Sequence, residues 1–255
     1  MAMLDIEEIG RSFGGVSALA GVSFSVSDGS IHGLIGPNGA GKTTLINVLS
    51  GLIRPNSGRV LLDGKPIHAL PPNRVAALGI ARTFQNIRLF SNMTCLENVI
   101  AGQHIKMKKP LLPRLLFLPS AVREDRQSRD EAMACLARVG IAHRADAPAN
   151  SLSYGERRRL EIARALALGP RLLLLDEPVA GMHKQGREEI AALLRSLADE
   201  GIAVLLIEHN MSFVMRLCSL ITVINFGRTV TTGNPEEVAG HPMVVEAYLG
   251  ANQHA

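Results

Sequence analysis

The segment GPNGAGKTT at 36–44 has the residue types that bind a chain of phosphates. It fits the spacing G-x-x-x-x-G-K-[ST] and lies between a short apolar run, IHGLIG, and the helical pattern KTTLINVLSGL. Its glycines let backbone N–H groups converge on an anion, and the helix N-terminus adds the positive end of its dipole. Lys42 is expected to reach the β- and γ-phosphates and Thr43 to offer its hydroxyl to Mg²⁺, so the segment predicts nucleoside triphosphate binding. The predicted nucleotide contacts are Gly36, Pro37, Asn38, Gly39, Ala40, Gly41, Lys42, Thr43 and Thr44.

Two consecutive acids end another apolar run, RLLLLDE at 171–177. An apolar strand of this kind places its terminal carboxylates at the carboxyl edge of a sheet, where ligands bind in α/β folds. There Asp176 is predicted to orient Mg²⁺, directly or through water, and Glu177 to activate the attacking water as a general base. A positioned general base contributes about 10²- to 10⁴-fold in rate. The alternative is a pair of solvated acids at a strand end.

Two further polar residues are candidates for the same site. His209 ends the apolar run GIAVLLIEH and should reach the same sheet edge, although isolated histidines are more often structural. Gln85, in ARTFQNIRLF, is a polar residue in an apolar segment between the predicted core and a helical region. A glutamine there that contacts Mg²⁺ or water is suited to link nucleotide state to movement. Both residues are therefore candidate catalytic groups, and Gln85 is also a candidate metal ligand.

A further motif is the helix start LSYGERRRLEIARA at 152–165. Ser153 and Glu156 have the spacing of a capping box, which places Tyr154 and Gly155 in the first helical turn. The N–H groups of that turn have no acceptor within the helix, and glycine is unfavourable in helix interiors. The pattern is compatible with an ordinary capped helix, or with a helix end whose donors contact a ligand.

The elements that position these residues alternate between strand and helix patterns at both ends of the chain. Continuous apolar runs indicate strands that are covered on both faces, so an α/β fold with a mainly parallel sheet is predicted. The alternating VSFSV (22–26) and the hairpin pattern GRVLLDGKPI (58–67), with its Asp63-Gly64 turn, predict a smaller antiparallel sheet beside it.

The middle of the chain, residues 89–165, is predicted to be mainly helical. TCLE at 94–97 is another capping-box pattern, and 123–140 has the pattern of a charged amphipathic helix. Between these two helices, the Pro-rich KMKKPLLPRLLFLPSA at 106–121 is expected to be a surface excursion. Near the C-terminus, NPEE predicts a helix capped by Asn234.

Composition excludes several classes of protein. The chain has 255 residues, 47% of them hydrophobic, which supports a sizeable core. Only 4% are aromatic and Trp is absent, so surfaces that could stack on nucleic-acid bases are scarce. The formal charge of +4 is too small to indicate an anionic partner, and we expect no nucleic-acid partner. The three cysteines match no metal or disulfide spacing and favour a reducing compartment. We expect no secretory signal and no membrane span, since no apolar stretch approaches roughly 20 residues.

The motifs GPNGAGKTT, RTFQNIRLF, LSYGERRRLEIARAL, RLLLLDEP and LLIEHNM, in that order, resemble an ATP-binding-cassette (ABC) nucleotide-binding domain over essentially the whole chain. The resemblance implies a P-loop NTPase fold in a single domain, 1–255. Its parts would be a catalytic core with a RecA-like mainly parallel sheet and an antiparallel β subdomain (1–88 and 166–230), a helical subdomain (89–165) and a C-terminal helical tail (231–255). ATP and Mg²⁺ are the implied cofactors.

In that family two nucleotide-binding domains pack head to tail, and each signature helix, which here would start at LSYGE (152–156), covers the γ-phosphate bound to the other subunit. The resemblance implies that Ser153 and Gly155 contact the partner subunit's ATP. It also makes Phe13, with Val16 close by, the candidate for stacking on adenine. A core position is the alternative for Phe13.

Three positions depart from the family pattern: Tyr154 stands where Gly is common, Phe13 where Tyr is commoner, and His183 where many relatives have Asp or Asn. The Tyr-containing signature, the Pro-rich insert and the ending EAYLG resemble the longer ATPase subunit of bacterial branched-chain amino-acid importers. That resemblance implies a second ATPase subunit, membrane permeases, a periplasmic solute-binding protein that acts indirectly, and a peripheral position on the cytoplasmic face of the inner membrane. Ile87, Leu89 and Phe90 are then candidates for contact with a permease helix, with core packing as the alternative for each.

Several other functions are compatible with parts of this pattern. The same motor suits another solute, such as urea, another amide or an aromatic acid, and it suits lipopolysaccharide extraction. A soluble ABC ATPase of DNA repair or translation typically carries two cassettes or a long coiled-coil insertion, and neither occurs in this sequence. A metabolic P-loop kinase needs a phosphate acceptor pocket and has no use for the signature helix. We therefore predict a transporter ATPase.

Overall fold

The computed structural model of the chain describes residues 2–83, 85, 87–104 and 119–248. The strands are β1 (Ala2–Phe13), β2 (Val16–Ser27), β3 (Ile31–Ile35), β4 (Ser57–Leu62), β5 (Lys65–Pro66), β6 (Ile80–Arg82), β7 (Leu172–Asp176), β8 (Ala203–Ile207), β9 (Leu220–Asn225) and β10 (Arg228–Gly233). The α-helices are α1 (Lys42–Leu49), α2 (Pro72–Ala77), α3 (Cys95–Gly102), α4 (Pro119–Arg138), α5 (Tyr154–Leu166), α6 (Lys184–Asp199), α7 (Met211–Leu217), α8 (Pro235–Ala239) and α9 (Pro242–Tyr248). Short 3₁₀ helices cover Ala142–Arg144 and Ala149–Ser151.

A six-stranded sheet lies at the centre of the molecule, in the order β10-β9-β3-β8-β7-β6. The strands from β9 to β6 pair in parallel, and β10 runs antiparallel to β9. All residues of β3, β7 and β8 are buried, as expected for a parallel sheet that is covered on both faces. The predicted mainly parallel sheet is confirmed. Because parallel strands end on the same side, Ile35, Asp176 and Ile207 lie along one edge.

The two faces of this sheet contact different apolar clusters. Leu173 and Leu175 of β7 pack in a cluster with α3, α5 and α6. The alternate residues, Leu172 and Leu174, pack in a second cluster with α1 and the antiparallel strands. Burying a leucine side chain contributes about 1.5–3 kcal/mol to folding. The strand that ends at Asp176 is therefore stabilised from both sides.

A second, antiparallel sheet has the order β2-β1-β4-β5. Its β4–β5 turn contains Asp63 and Gly64, whose φ angles of 49° and 72° are the left-handed values of a tight hairpin turn. Both the hairpin and the smaller antiparallel sheet agree with the sequence-based prediction.

Helices α3, α4 and α5 pack against one another beside the central sheet. The predicted capping box begins α3: Thr94 Oγ1 accepts the Glu97 N–H at 3.1 Å, and Glu97 Oε2 accepts the Thr94 N–H at 2.8 Å. Helix α4 already begins at Pro119, so the last part of the predicted excursion at 106–121 is helical, while 105–118 lies outside the described residues. Within the described part of the chain, every helix is too short or too polar to cross a bilayer.

The C-terminal region differs from the predicted helical tail at its start. Strand β10 continues to Gly233 and pairs with β9, so the tail does not begin as a helix at 231. The reason is that the threonines of β10 are β-branched and suit a pleated strand. The following helix, α8, has Asn234 as its N-cap and Glu237 as the reciprocal partner, as predicted. Residues 249–255 lie outside the part that the structure describes.

His32 is a buried titratable residue in the middle of the central sheet. It is 1% exposed, its ring stacks on Phe24 with centroids 5.1 Å apart, and its Nε2 lies 2.8 Å from Thr222 Oγ1. Burial disfavours the imidazolium and lowers the pKa of His32 from 6.5 to about 4. Between these two pH values the unfolded chain binds this proton and the folded chain does not. Acidification through this window therefore favours unfolding.

We predict that His32 contributes about 2 kcal/mol to the fall in the free energy of unfolding between about pH 7 and about pH 4.5. His32→Gln retains a hydrogen-bonding side chain but cannot titrate. The free energy of unfolding of this variant should therefore fall by about 2 kcal/mol less than that of the wild type over the same pH range. Urea unfolding of both proteins at both pH values measures the difference. Equal pH dependence in the two proteins would contradict the assignment.

Candidate functional site

A cavity of about 240 Å³ opens at the carboxyl edge of the central sheet. Its lining comes from the predicted phosphate-binding segment, Gln85, the ends of β7 and β8, and His209. The lining residues are Ala18, Asn38, Gly39, Ala40, Gly41, Lys42, Thr43, Thr44, Gln85, Asp176, Glu177, Ile207 and His209. The fold thus brings most of the predicted site residues to one cavity. The predicted site residues that are not among its lining residues are Phe13, Val16, Gly36, Pro37, Ser153 and Gly155.

The phosphate-binding segment is a loop that the β9–β10 turn supports from behind. The Gly227 N–H donates to Ala40 O at 3.0 Å. A Cβ on Gly36 would lie 2.2 Å from Ile224 O, so position 36 has no room for a side chain. At Gly39 a Cβ would meet open space, but the φ of 81° is left-handed. Packing therefore requires glycine at 36, whereas the backbone conformation favours it at 39.

Lys42 begins α1, and its side chain turns back over the loop. The residue is 7% exposed, and Nζ donates hydrogen bonds to the carbonyls of Gly36 and Pro37 at 2.6 and 2.9 Å. Burial lowers the pKa of Lys42, and the negative charges of Glu177 and Asp176 oppose this effect. The ammonium group lies between the loop carbonyls and the acidic end of β7, where a phosphate chain needs a counter-charge.

Asp176, the last residue of β7, is 2% exposed. Its Oδ2 is buried and accepts no hydrogen bond from the described residues, while Arg82 Nη2 lies 3.8 Å from it. Burial raises the pKa of Asp176, and the positive charge of Arg82 opposes this. A buried carboxylate oxygen without a donor suits a hard cation such as Mg²⁺. Among the described side chains no group of three or more His, Cys, Asp or Glu residues is arranged to hold a metal ion by itself, and Mg²⁺ that binds together with phosphates does not need one.

Arg82 is a partly buried residue of the site that the sequence pattern did not indicate. Its Nη1 donates to Asn47 Oδ1 at 2.6 Å and to Ser50 Oγ at 3.2 Å. Asn47 belongs to α1 and Ser50 caps its C-terminal end, so the guanidinium connects β6, α1 and the end of β7. The available signal was a basic residue within the apolar segment GIAR.

Glu177 directly follows β7 and is held in place through its backbone. Its N–H donates to Ile207 O at 2.9 Å, and its φ of 51° lies in the left-handed region, which is unusual for a residue with a side chain. Its Oε1 lies 2.9 Å from His209 Nε2 and accepts a hydrogen bond from Gln85 Nε2 at 3.3 Å. The three predicted catalytic side chains thus meet at one carboxylate oxygen. A carboxylate positioned in this way can act as a general base toward water.

Glu208 is a second residue whose place in the site the sequence pattern did not reveal. It is 3% exposed, and burial raises the pKa of its carboxyl group. Its Oε1 accepts the Val179 N–H at 3.0 Å, and its Oε2 accepts the His209 N–H at 3.3 Å. Glu208 therefore connects the loop after Glu177 to the loop that carries His209. An acid at the end of the apolar run LLIEH was the available signal.

A separate cleft of about 510 Å³ lies at the N-terminus of α5. The predicted capping box forms there: Ser153 Oγ accepts the Glu156 N–H at 3.3 Å, and Glu156 Oε2 accepts the Ser153 N–H at 2.8 Å. A Cβ on Gly155 would meet open space, so the first turn of the helix faces the cleft. Tyr154 and His183 also line it. The donors of this helix end are thus in a different cleft from the phosphate-binding loop of the same chain.

Phe13 and Val16 lie at the turn between β1 and β2. Phe13 is 43% exposed and Val16 is 71% exposed, so the core alternative for Phe13 is wrong. The Arg11 guanidinium lies 4.7 Å from the centroid of the Phe13 ring. Further along β2, Ala18 lines the cavity.

The three apolar residues that follow Gln85 have different surroundings. Leu89 is partly buried and packs against the larger apolar cluster, so core packing accounts for it. Ile87 is half-buried. Phe90 is 53% exposed and is the one of the three whose side chain is most available for contact with a partner.

A family model described as ABC transporter matches residues 19–180 of the chain. The matched range contains the predicted phosphate-binding loop, the N-terminus of α5, and β7 with Asp176 at its end and Glu177 directly after it. The chain belongs to the ABC transporter family.

Curated relatives match nearly the whole chain. BraF of Pseudomonas aeruginosa, a high-affinity branched-chain amino acid transport ATP-binding protein, is 41% identical over 97% of this chain and 98% of its own. LivG of Escherichia coli K12, with the same description, is 39% identical over 97% of this chain and 98% of its own. LptB of Haemophilus influenzae, a lipopolysaccharide export system ATP-binding protein, is 34% identical over 98% of both chains.

Solved structures of ABC cassettes have the same fold. The ADP conformation of an ATP-binding cassette of an ABC transporter matches with a TM-score of 0.86 and 34% identity, over 98% of this chain and 99% of that one. The dimeric structure of a bacterial ABC transporter cassette matches with a TM-score of 0.78 and 25% identity, over 91% of this chain and 99% of that one. The predicted P-loop NTPase fold of the ABC type is confirmed.

We predict that Arg82→Met lowers the free energy of unfolding by about 3 kcal/mol, because it removes the positive charge that lies 3.8 Å from the buried carboxylate of Asp176. Combination with Asp176→Asn should reduce the loss. Arg171→Met is the matched control: Arg171 pairs with Asp63 at the surface, its side chain is 46% exposed, and the expected loss is at most about 1 kcal/mol. Denaturant unfolding measures all of these values. A loss for Arg82→Met no larger than the control loss would disprove the role of this ion pair.

Proposed function

We propose that this chain is the ATP-hydrolysing subunit of a membrane importer for branched-chain amino acids. One observation carries the catalytic part: Gln85 and His209 meet at the carboxylate of Glu177 beside a phosphate-binding loop. The solute is inferred from the identity of 41% with BraF and 39% with LivG over almost the whole chain.

In this proposal the loop from Gly36 to Thr44 binds the phosphates of ATP. Its N–H groups and the N-terminus of α1 supply donors, and Lys42 supplies the positive charge. Phe13, with Val16 close by, contacts the adenine base, for which the exposed ring of Phe13 is available.

Three residues would hold Mg²⁺: Thr43, Asp176 and Gln85. The buried Oδ2 of Asp176, to which no described residue donates a hydrogen bond, supports this assignment. Mg²⁺ supplies positive charge that neutralises the phosphate oxygens during transfer.

Glu177 would accept the proton of the water that attacks the γ-phosphate. His209 and Gln85 hold its carboxylate in position through the contacts at 2.9 and 3.3 Å. A positioned base of this kind contributes about 10²- to 10⁴-fold in rate, which corresponds to about 3–5 kcal/mol of the activation barrier.

The active unit would be a head-to-tail pair of ATPase subunits, either two copies of this chain or this chain with a second ATPase. Ser153 and Gly155 would then contact the ATP of the partner subunit. The separation of the α5 cleft from the phosphate-binding cavity within one chain supports this arrangement, and a dimeric cassette is known among the similar structures. A shift of such an equilibrium from 1:99 to 99:1 requires about 5.5 kcal/mol, which two nucleotide-bridged sites can supply.

The pair would bind membrane permeases at the cytoplasmic face of the inner membrane, with a periplasmic solute-binding protein as an indirect partner. We assign 1–88 and 166–230 to the catalytic core with its β subdomain and 89–165 to the helical subdomain, and we start the helical tail at α8 rather than at 231. Ile87 and Phe90 are our candidates for the permease contact, because both are at least partly exposed.

Lipopolysaccharide export is the second candidate function, because LptB is 34% identical over 98% of both chains. We rank lipopolysaccharide export below amino-acid import because the identity with LptB is lower than the identity with BraF or LivG. The ATPase itself does not select the solute, so the two functions differ in the membrane partners and not in the chemistry of the site.

Glu177→Gln should lower ATP turnover by about 10²-fold or more while the affinity for ATP stays within about twofold, because it removes only the base. Lys42→Ala is the contrasting variant and should weaken ATP binding itself. Steady-state phosphate release and titration with a fluorescent ATP analogue measure the two quantities. If Glu177→Gln lost binding and turnover equally, the general-base role would be refuted.

The transport function is tested by uptake of labelled leucine, isoleucine and valine in cells that lack the gene. Wild type should restore uptake, and Glu177→Gln should not. Unchanged uptake after deletion would remove the amino-acid assignment, and the lipopolysaccharide content of the outer membrane in the same cells would then test the second candidate.

A further inference from the structure

Tyr154 and Arg158 form a contact at the N-terminal end of α5. They are four positions apart on one helix, so their side chains lie on the same face. Arg158 Nη2 lies 3.3 Å from the Tyr154 hydroxyl, and the guanidinium carbon lies 5.7 Å from the centroid of the Tyr154 ring. The residue that departs from the family pattern at position 154 therefore directly contacts a buried cation.

Arg158 also binds the loop that carries Gln85. Its Nη2 donates to Gln85 O at 2.6 Å, and its Nη1 donates to Glu161 Oε2 at 3.0 Å. The side chains of Arg158 and Glu161 are 3% and 2% exposed. Charge-assisted hydrogen bonds in such a buried position are strong, and the planar guanidinium gives them a fixed direction. The backbone of Gln85 is thereby fixed relative to α5.

Both Arg158 and Tyr154 also contact segments that position Glu177, the candidate general base. Gln85 Nε2 donates to Glu177 Oε1 at 3.3 Å. At the other end, a Cβ on Gly181 would lie 3.8 Å from Tyr154 Cε1, so the Tyr154 ring lies beside the loop that follows Glu177. Tyr154 and Arg158 thus connect the start of α5 to two segments that position Glu177.

We propose that Arg158, supported by Tyr154, is a positioning residue that places Gln85 against Glu177 in response to the position of the α5 N-terminus. The inference rests on the proposed function, since it requires Gln85 and Glu177 to serve hydrolysis. A displacement of the helix end moves the guanidinium, and the guanidinium moves the Gln85 backbone with it. Tyr154 and Arg158 couple the α5 cleft to the phosphate-binding cavity in this way. Tyr154 lines only the cleft, and Arg158 lines neither.

In steady-state ATP hydrolysis by the full chain, Arg158→Met should lower kcat by about tenfold and leave the affinity for a fluorescent ATP analogue within about twofold. Arg157→Met is the matched control, because Arg157 is the preceding residue of the same helix and makes none of the contacts above; its kcat should stay within about twofold. Tyr154→Phe keeps the ring beside Gly181 and removes only the hydroxyl, and it should lower kcat by about threefold. This second variant tests the inference even if Arg158→Met does not fold.

The decisive measurement is a double-mutant cycle with Gln85→Ala. Because Arg158 acts through Gln85, the double variant should lose no more kcat than Gln85→Ala alone, within about twofold. If the loss of kcat in the double variant equalled the product of the losses in Arg158→Met and Gln85→Ala, the inference would be overturned. Wild-type kcat in both Arg158→Met and Tyr154→Phe would also overturn it. A wild-type chain that does not hydrolyse ATP would overturn the proposed function and this inference together. If the wild type is active but the losses of kcat in the two single variants are independent, only the inference is overturned.

Discussion

Parallel pairing of β3, β8 and β7 is the constraint on which the whole site depends. Leu34 of β3 and Asp176 of β7 both pair with Ile207 of β8, one from each side. The start of the phosphate-binding loop and the acidic end of β7 are therefore aligned by backbone hydrogen bonds of a fully buried strand. Because β8 also leads into His209, a single strand sets the separation between the loop that begins at Gly36, the carboxylate of Asp176 and the histidine that contacts Glu177.

Around this edge, buried charges are placed next to charges of opposite sign. Lys42 lies near the two acids, Arg82 lies beside Asp176, and Arg158 pairs with Glu161. Each of these groups would be costly to bury alone, since desolvation penalises a charge that lacks a partner. Their positions depend on one another, and a change of charge at one of them alters the energy of its neighbours. The same low-dielectric setting strengthens the electrostatic contacts from which catalysis in such a site benefits.

Local patterns were sufficient wherever one short segment determines its own structure. The apolar run before Asp176, the Asp63-Gly64 turn and the capping box at Ser153 all depend on neighbours in sequence, and each formed as predicted. Arg82 was not recognised because its role depends on Asn47 and Asp176, which approach it only after the sheet and α1 have packed.

The misplaced start of the C-terminal tail has a similar explanation. The threonines of the segment through Gly233 suit a strand, but they form one only because β9 offers an edge to pair with, and that edge is a property of the sheet. The exposure of Phe13 likewise follows from the position of the β1–β2 turn at the periphery, which the surrounding residues RSFGG do not specify.

Two of the three glycines in the phosphate-binding loop, Gly36 and Gly39, carry different evolutionary information. Gly36 is required by the carbonyl of Ile224, a contact within the fold, whereas the Cβ position of Gly39 is open. A descendant that lost its ATPase activity but kept its structure would be free to replace Gly39, for instance by Asn, long before it replaced Gly36. Among members of the family that have lost activity, a retained Gly36 thus indicates an intact sheet. Of these two glycines, Gly39 is the one that is informative about a working nucleotide site.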